Sequence, residues 1–215
     1  MTLLPLATAL VAGFAHALEP DHMAAVTTFV SRRPRPLEAL GFGLRWGLGH
    51  SAAILGVGGA LILLGVRIPE GVARGLEFGV GGLLLVLGLW LLWSLLHGGA
   101  HALAGGDAAP GHVHRPGGRG ASLWVGVAHG LAGTAPLIAL LPVALTRSPW
   151  TAGGYLLFFG VGTTLAMGLY AAAAGFVFDR AGGRFPALAG TLRAATALGS
   201  VALGIGWMYG AVGGA

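Results

Sequence analysis

The stretch GFAHALEPDHM, residues 13–23, places four titratable side chains within seven positions of an otherwise apolar segment. An acidic side chain at the centre of a membrane helix costs about 2.5–3.5 kcal/mol, so two carboxylates here must face each other, water or a cation. Pro20 lies between them, lacks the N–H that a helix would bond to residue 16, and pushes residue 19 out of the helical conformation. The stretch therefore predicts a helix that is broken at Glu19 and Pro20.

The break decides where the polar side chains point. In an unbroken helix His16 and His22 would lie on different faces, because six residues correspond to about 600° of rotation. An opened turn lets His16, Glu19, Asp21 and His22 approach one point, and it frees the carbonyl of residue 16 as a further polar group. Broken helices of this kind form ion sites in transporters. The alternative is a proline-kinked helix whose polar groups pair with neighbouring helices, Arg45 among the partners.

The composition around this stretch is that of a membrane protein. Of 215 residues, 55% are hydrophobic and 9% are charged, where soluble domains carry about 25% charged residues; the mean hydropathy is +0.82. The net charge of +5 comes from single arginines between apolar runs, which excludes a nucleic-acid patch. The absence of cysteine excludes disulfides and thiolate ligands. Runs of about 20 apolar residues predict six transmembrane helices near residues 3–30, 37–65, 75–97, 121–145, 151–178 and 194–213.

The arginines also predict the orientation. Eight lie in the first, third and fifth connections and three in the second and fourth. Positive residues concentrate on the cytoplasmic side, so the odd connections are expected there and both termini outside. We expect an integral protein of a bacterial or archaeal plasma membrane.

An internal repeat divides the chain into two halves. A shift of 113 positions aligns the first and second helices with the fourth and fifth, and a shift of 117 aligns the third with the sixth. The aligned residues are Gly13, Ala15, His16 and Leu18 with Gly126, Ala128, His129 and Leu131; Gly41, Gly47 and Gly49 with Gly154, Gly160 and Gly162; and Gly82 and Trp90 with Gly199 and Trp207. We therefore predict an all-α membrane protein with a 3+3 inverted repeat: residues 1–97, a His- and Gly-rich cytoplasmic loop 98–120, and residues 121–215. Such repeats place a substrate site near the membrane midplane.

Two further histidines lie inside predicted spans. His50 is flanked by small residues in GLGHS, which allows another helix to approach closely. His129 corresponds to His16 in the repeat, whereas Glu19, Asp21 and His50 correspond to Ala132, Thr134 and Thr163. The first half is thus expected to build most of a metal site from His16, Glu19, Asp21, His22 and His50, with His129 added from the second. A packed, hydrogen-bonded role stays open for His50 and His129.

Weaker patterns suggest supporting roles. The third connection carries His101, His112 and His114, which favours either a metal-collecting tract or a flexible linker. Arg74 and Glu77 suit an interfacial ion pair. Three pairs of small residues four positions apart predict helix packing. These pairs are Gly43 and Gly47, Gly75 and Gly79, and Gly206 and Gly210.

The ligand chemistry and a family resemblance narrow the substrate. Imidazole with carboxylate suits nickel, cobalt, zinc or iron(II). The motif HALEPDH at residues 16–22, followed by LGHS at 48–51, resembles the paired signatures of the nickel/cobalt permease superfamily. The Glu-Pro pair resembles its efflux and urease-associated branches, and the run AHGLAG at 128–133 is similar to the urease-associated branch. The resemblance implies transport of Ni²⁺ or Co²⁺, held by His16, Glu19 or Asp21, His22 and His50.

Three functions follow as expectations. The first is transport of a divalent metal ion, with no prosthetic group and no enzymatic activity. The second is delivery of the ion to a cytoplasmic nickel enzyme or chaperone through the histidine-bearing loop. The third is an intramembrane hydrolase in which Glu19 or Asp21 acts as base beside a metal-bound water. The expected partners are the ion and the lipid bilayer.

Overall fold

The helices are built from the apolar runs of the sequence. A computed structural model describes residues 3–31, 35–64, 69–103, 119–132 and 148–213, and within these ranges all regular structure is helical. Seven helices are formed there: α1 Leu3–His16, α2 Pro20–Val30, α3 Pro36–Leu64, α4 Glu70–Leu103, α5 Arg119–Ala132, α6 Pro149–Arg184 and α7 Pro186–Gly213.

The break in the first predicted span is confirmed. Glu19 is extended, with φ −65° and ψ 149°, and Pro20 is the first residue of α2, where its missing N–H costs nothing. The carbonyl of His16 is not freed as expected, because it accepts a hydrogen bond of 3.0 Å from the Glu19 N–H. The break is therefore a tight turn with internally paired backbone groups, which suits a site without bulk water.

Among the described residues, three helices are long and apolar enough to cross a bilayer, over Glu70–His97, Trp150–Arg184 and Pro186–Gly213. Shorter apolar helices cover Leu4–His16 and Ser122–Leu131. The chain is therefore a membrane protein whose described regular structure is all helical. The arrangement of six spans stays a prediction, and residues 133–145 of the fourth predicted span lie outside the described residues.

Three predicted connections, the second, third and fifth, were too long. The helix over 75–97 extends to Glu70 and Leu103, and the fifth connection shrinks to Phe185 between α6 and α7. Hydropathy marks the part of a helix inside hydrocarbon, whereas backbone hydrogen bonds continue into the polar interface. Of the loop predicted over 98–120, residues 104–118 lie outside the described part of the chain.

Helices α3 and α6 run antiparallel at the centre, with α5 against α3 and α1 against α6. A Cβ on Gly13 would collide with the carbonyl of Phe159, and one on Gly126 would collide with that of Trp46. The repeat spacing of 113 relates Gly13 to Gly126 and Trp46 to Phe159. The Gly13–Phe159 contact and the Gly126–Trp46 contact are therefore equivalent in the two halves.

Other close contacts recur at the same spacing. Gly49 contacts Leu123 while Gly162 contacts Leu10, again through backbone carbonyls. Ser51 and Thr164 are equivalent positions in the repeat, 113 residues apart, and their hydroxyl oxygens lie 3.2 Å from each other. These helices thus pack as an internal repeat requires, although the complete 3+3 arrangement stays a prediction.

The predicted packing of small residues holds at one of three pairs. A Cβ on Gly47 would lie 2.6 Å from the Cα of Thr164, and one on Gly43 would collide with the carbonyl of Met167. At Gly75, Gly206 and Gly210 no described atom lies within 4 Å of an added Cβ, so the described residues do not show the close approach predicted for these three glycines. Instead α4 and α7 approach through Gly81 and Gly204, where an added Cβ would lie 2.7 Å and 2.6 Å, respectively, from the carbonyl oxygen of the other glycine.

Candidate metal centre

The turn between α1 and α2 brings two of the predicted ligands together. His16 ends α1 and His22 lies in the first turn of α2, with their ring centroids 4.5 Å apart. Both side chains are buried, at 4% and 2% exposure. This convergence is what the broken helix predicts and what a continuous helix would prevent.

His50 reaches the same point from the middle of α3. Its Nε2 lies 3.2 Å from the Nε2 of His16, and its ring is 4.9 Å from that of His22. Gly49 and Gly130 bring α5 against α3 beside His50, because added Cβ atoms there would collide with or crowd the backbone of the other helix. One ligand atom from each of His16, His22 and His50 lies within 4.8 Å of the others. We call these three residues the first ligand group.

Asp21 gathers a second set. Its Oδ1 lies 3.1 Å from the Nδ1 of His22 and its Oδ2 lies 3.2 Å from the Nε2 of His129. One ligand atom from each of Asp21, His22 and His129 again lies within 4.8 Å of the others. We call these the second ligand group. It joins the two halves of the chain, because His129 comes from α5.

Glu19 lies at the margin of the cluster. Its carboxylate is 3.1 Å from the Nδ1 of His16, and its side chain is 40% exposed. Among the described residues it belongs to neither ligand group. Its position suits a partner of His16 at the edge of the site.

The cluster holds nitrogens without a hydrogen-bond partner. Within the described part of the chain these include Nε2 of His22, Nδ1 of His50 and Nδ1 of His129, all fully enclosed. Leaving a buried polar atom unpaired costs about 1–3 kcal/mol. Four imidazoles and one carboxylate in an apolar interior are therefore a costly arrangement unless something binds there, and a dication fits this donor set.

Other polar residues named from the sequence lie elsewhere. Arg45 donates from Nε to the Ser122 hydroxyl at 3.1 Å, so the described contact joins α3 to α5 and involves no carboxylate. Thr163 donates to the backbone carbonyl of Gly13 at 3.0 Å and so holds α1 against α6. Thr134, His112 and His114 lie outside the described residues.

The expected ion pair of Arg74 with Glu77 was wrong. Arg74 pairs instead with Glu70 at 3.0 Å, four residues before it on the exposed surface of α4. The helix begins earlier than the hydropathy indicated, which brings Glu70 into reach.

Two aromatic residues beside the site were not predicted. The ring of Phe159 stacks on His16 with centroids 5.5 Å apart, and Trp46 meets His129 edge-on at 5.9 Å. Both are fully buried. The shift of 113 that relates His16 to His129 also relates Trp46 to Phe159, so the repeat carried a signal that could have identified them.

The long apolar helices and the buried cluster of imidazole and carboxylate define a helical membrane protein with a candidate metal centre. Comparison with known proteins agrees with this class. The chain is 35% identical over 160 residues to the urease accessory protein UreH of Bacillus sp. (strain TB-90), covering 73% of this chain and 70% of the relative. The chain belongs to the family of UreH urease accessory proteins.

A second relative is more distant. The Arabidopsis thaliana chloroplast protein FOR GROWTH AND FERTILITY 2 is 29% identical over 203 residues, covering 92% of this chain and 54% of that protein. No protein-family model matches the chain, and no solved structure matches it. An accessory protein is a helper, so the chain is not an enzyme, as the sequence predicted, and the hydrolase alternative is set aside.

Proposed function

We propose that this chain carries a divalent transition-metal ion, Ni²⁺ or Co²⁺, across the membrane through the two ligand groups. The observation that carries the proposal is the buried cluster of four histidines and Asp21, from both halves of the chain, in two ligand groups that share His22. Imidazole and carboxylate suit these metals. The name of the Bacillus relative supports nickel, one of the two metals that the permease-like motifs imply.

The first ligand group has a spacing that suits the ion. Nitrogens bound to a metal at about 2.1 Å and separated by 3.2 Å, as in His16 and His50, would subtend an angle of about 100° at the metal. That angle lies between the tetrahedral and octahedral values. The Asp21 carboxylate beside the Nδ1 of His22 would hold that ring with Nε2 free to bind, as carboxylates do behind ligating histidines.

Glu19 offers a route into the site. It combines a negative charge, partial exposure and contact with His16. A hydrated cation arriving from solvent would meet Glu19 first and exchange water for imidazole at His16. Metal binding also competes with ligand protonation, so coupling to a proton gradient is chemically available.

Transport is tested with purified protein in liposomes that enclose a metal-sensitive dye, challenged with Ni²⁺, Co²⁺ and Zn²⁺ with and without a pH gradient. Ni²⁺ or Co²⁺ is expected to enter, and the combined substitution of His16, His22 and His50 by alanine is expected to reduce entry to that of empty liposomes. His97→Ala is the control, because His97 is exposed on α4 and stacks on Trp93. Undiminished flux in the triple variant would refute the proposal.

Delivery of the ion to a cytoplasmic nickel enzyme is the second candidate, supported by the accessory-protein name of the Bacillus relative. Deleting residues 104–114 separates the two functions, since it removes His112 and His114 but none of the described helices. A transporter should keep most of its flux in liposomes. A delivery protein should lose metal transfer to the enzyme while both ligand groups still bind the ion.

A further inference from the structure

The two ligand groups share one residue. His22 belongs to both, while His16 and His50 belong only to the first and Asp21 and His129 only to the second. All five residues are buried, with at most 5% exposure. Two ions bound at once would lie on the two nitrogens of one buried imidazole and repel each other strongly in an apolar interior. The cluster therefore offers two overlapping places for one ion.

The two groups are held in equivalent ways. His16 lies three residues after Gly13 and rests on Phe159, whose carbonyl contacts that glycine. His129 lies three residues after Gly126 and meets Trp46, whose carbonyl contacts that glycine in turn. Each histidine is thus supported by the opposite half of the chain, on either side of His22.

The groups differ in charge. The first consists of imidazoles alone, whereas the second includes the Asp21 carboxylate, whose two oxygens now contact His22 and His129. An ion in the second group would replace those contacts with direct bonds to the same atoms. An ion in the first group leaves them in place. The same side chains can therefore satisfy either occupancy with small rearrangements.

Resting on the proposed transport function, we infer that a single metal ion passes between the two ligand groups during transport, with His22 as a ligand in both positions, through Nε2 in the first group and through Nδ1 in the second. His50 completes the position formed by the first half of the chain, and His129 completes the one shared with the second half. His129 is then a ligand on the transport path in addition to its place in the core.

The test uses the full chain with His22→Gln, His50→Gln or His129→Gln, and His97→Gln as the control. Ni²⁺ binding in detergent is measured by calorimetry, the ligands by X-ray absorption, and flux in liposomes. The wild type is expected to bind one ion. His50→Gln and His129→Gln should each still bind one, with affinity lowered by about tenfold, yet each should lose at least about tenfold in flux. His22→Gln should lose both binding and flux.

The ligands bound in the variants distinguish the positions. His129→Gln should show histidine ligands without carboxylate, and His50→Gln should show a carboxylate ligand. Unchanged flux in His50→Gln or His129→Gln would overturn the inference, as would loss of binding in both to the level of His22→Gln, or two ions per wild-type chain. A wild-type protein that binds Ni²⁺ but does not transport it would refute the transport proposal instead. In that case the X-ray absorption spectra of the variants still show whether the ion has one binding position or two.

Discussion

Asp21 organises the site at the scale of single residues, because its two carboxylate oxygens contact one histidine each. His22 is next to it in sequence, whereas His129 is 108 positions away. Asp21 also lies in the first turn of α2, where the helix dipole favours a negative charge. A single side chain thereby fixes the ring of a shared ligand and joins the two halves.

Replacing Asp21 by asparagine keeps its size but removes its charge and one of its two acceptor oxygens. We expect the affinity for Ni²⁺ to fall by about 10–100-fold, as for other carboxylates that orient ligating histidines. Calorimetry on the purified protein measures this directly. Asp179→Asn is the matched control, because Asp179 is exposed near the end of α6. Equal affinities in the two variants would show that Asp21 has no part in binding.

Most of the cluster could be predicted residue by residue. An ionisable group inside an apolar segment is costly enough to be informative alone, and this singled out His16, Asp21, His22, His50 and His129. The position of Glu19 outside the ligand groups could not be predicted, because the sequence does not show which way an extended residue at a turn directs its side chain. Phe159 and Trp46 were missed because a buried aromatic residue is ordinary in any apolar helix.

Close backbone approach determines the packing at the scale of helices. Gly49 of α3 lies against the Leu123 carbonyl, whereas Gly56 of the same helix has no described atom within 4 Å of an added Cβ. One of these two glycines is therefore in close contact with a neighbouring helix and the other is not. They form a matched pair for measuring what the close approach contributes to the stability of the protein.

Gly49→Ala should destabilise the protein by about 1–3 kcal/mol, because the methyl group must push α5 away from α3. Gly56→Ala should be neutral or stabilising by up to about 1 kcal/mol, since alanine favours the helix and meets nothing there. Thermal unfolding in detergent checks both. A Gly49→Ala variant as stable as Gly56→Ala would contradict the packing.

Hydropathy predicted which segments form helices, but it did not predict where the helices end or which helices pack together. The break at Pro20 followed from local backbone chemistry and was confirmed. The ends of α4, α6 and α7 lay several residues beyond the apolar runs. Gly75, Gly206 and Gly210 have the spacing of packing glycines without a described neighbour, because this spacing makes close approach possible but does not require it.

The orientation of the whole molecule is open to a direct test because the chain has no cysteine. From the distribution of arginines we expect Thr2→Cys to react with a membrane-impermeant maleimide on intact cells. Ala108→Cys should react only after the membrane is permeabilised. The two single-cysteine variants control for each other, and the reverse pattern would show that the termini face the cytoplasm.

The reciprocal glycine contacts also bear on how the protein is made. The ribosome completes α1, α2 and α3 before it reaches Phe159 and Gly162, the residues against which α1 packs. A nascent chain halted before α6 thus has His16, His22 and His50 but lacks the surfaces that hold them together. On the proposed function, capture of metal accordingly requires a polypeptide that has been synthesised at least through α6.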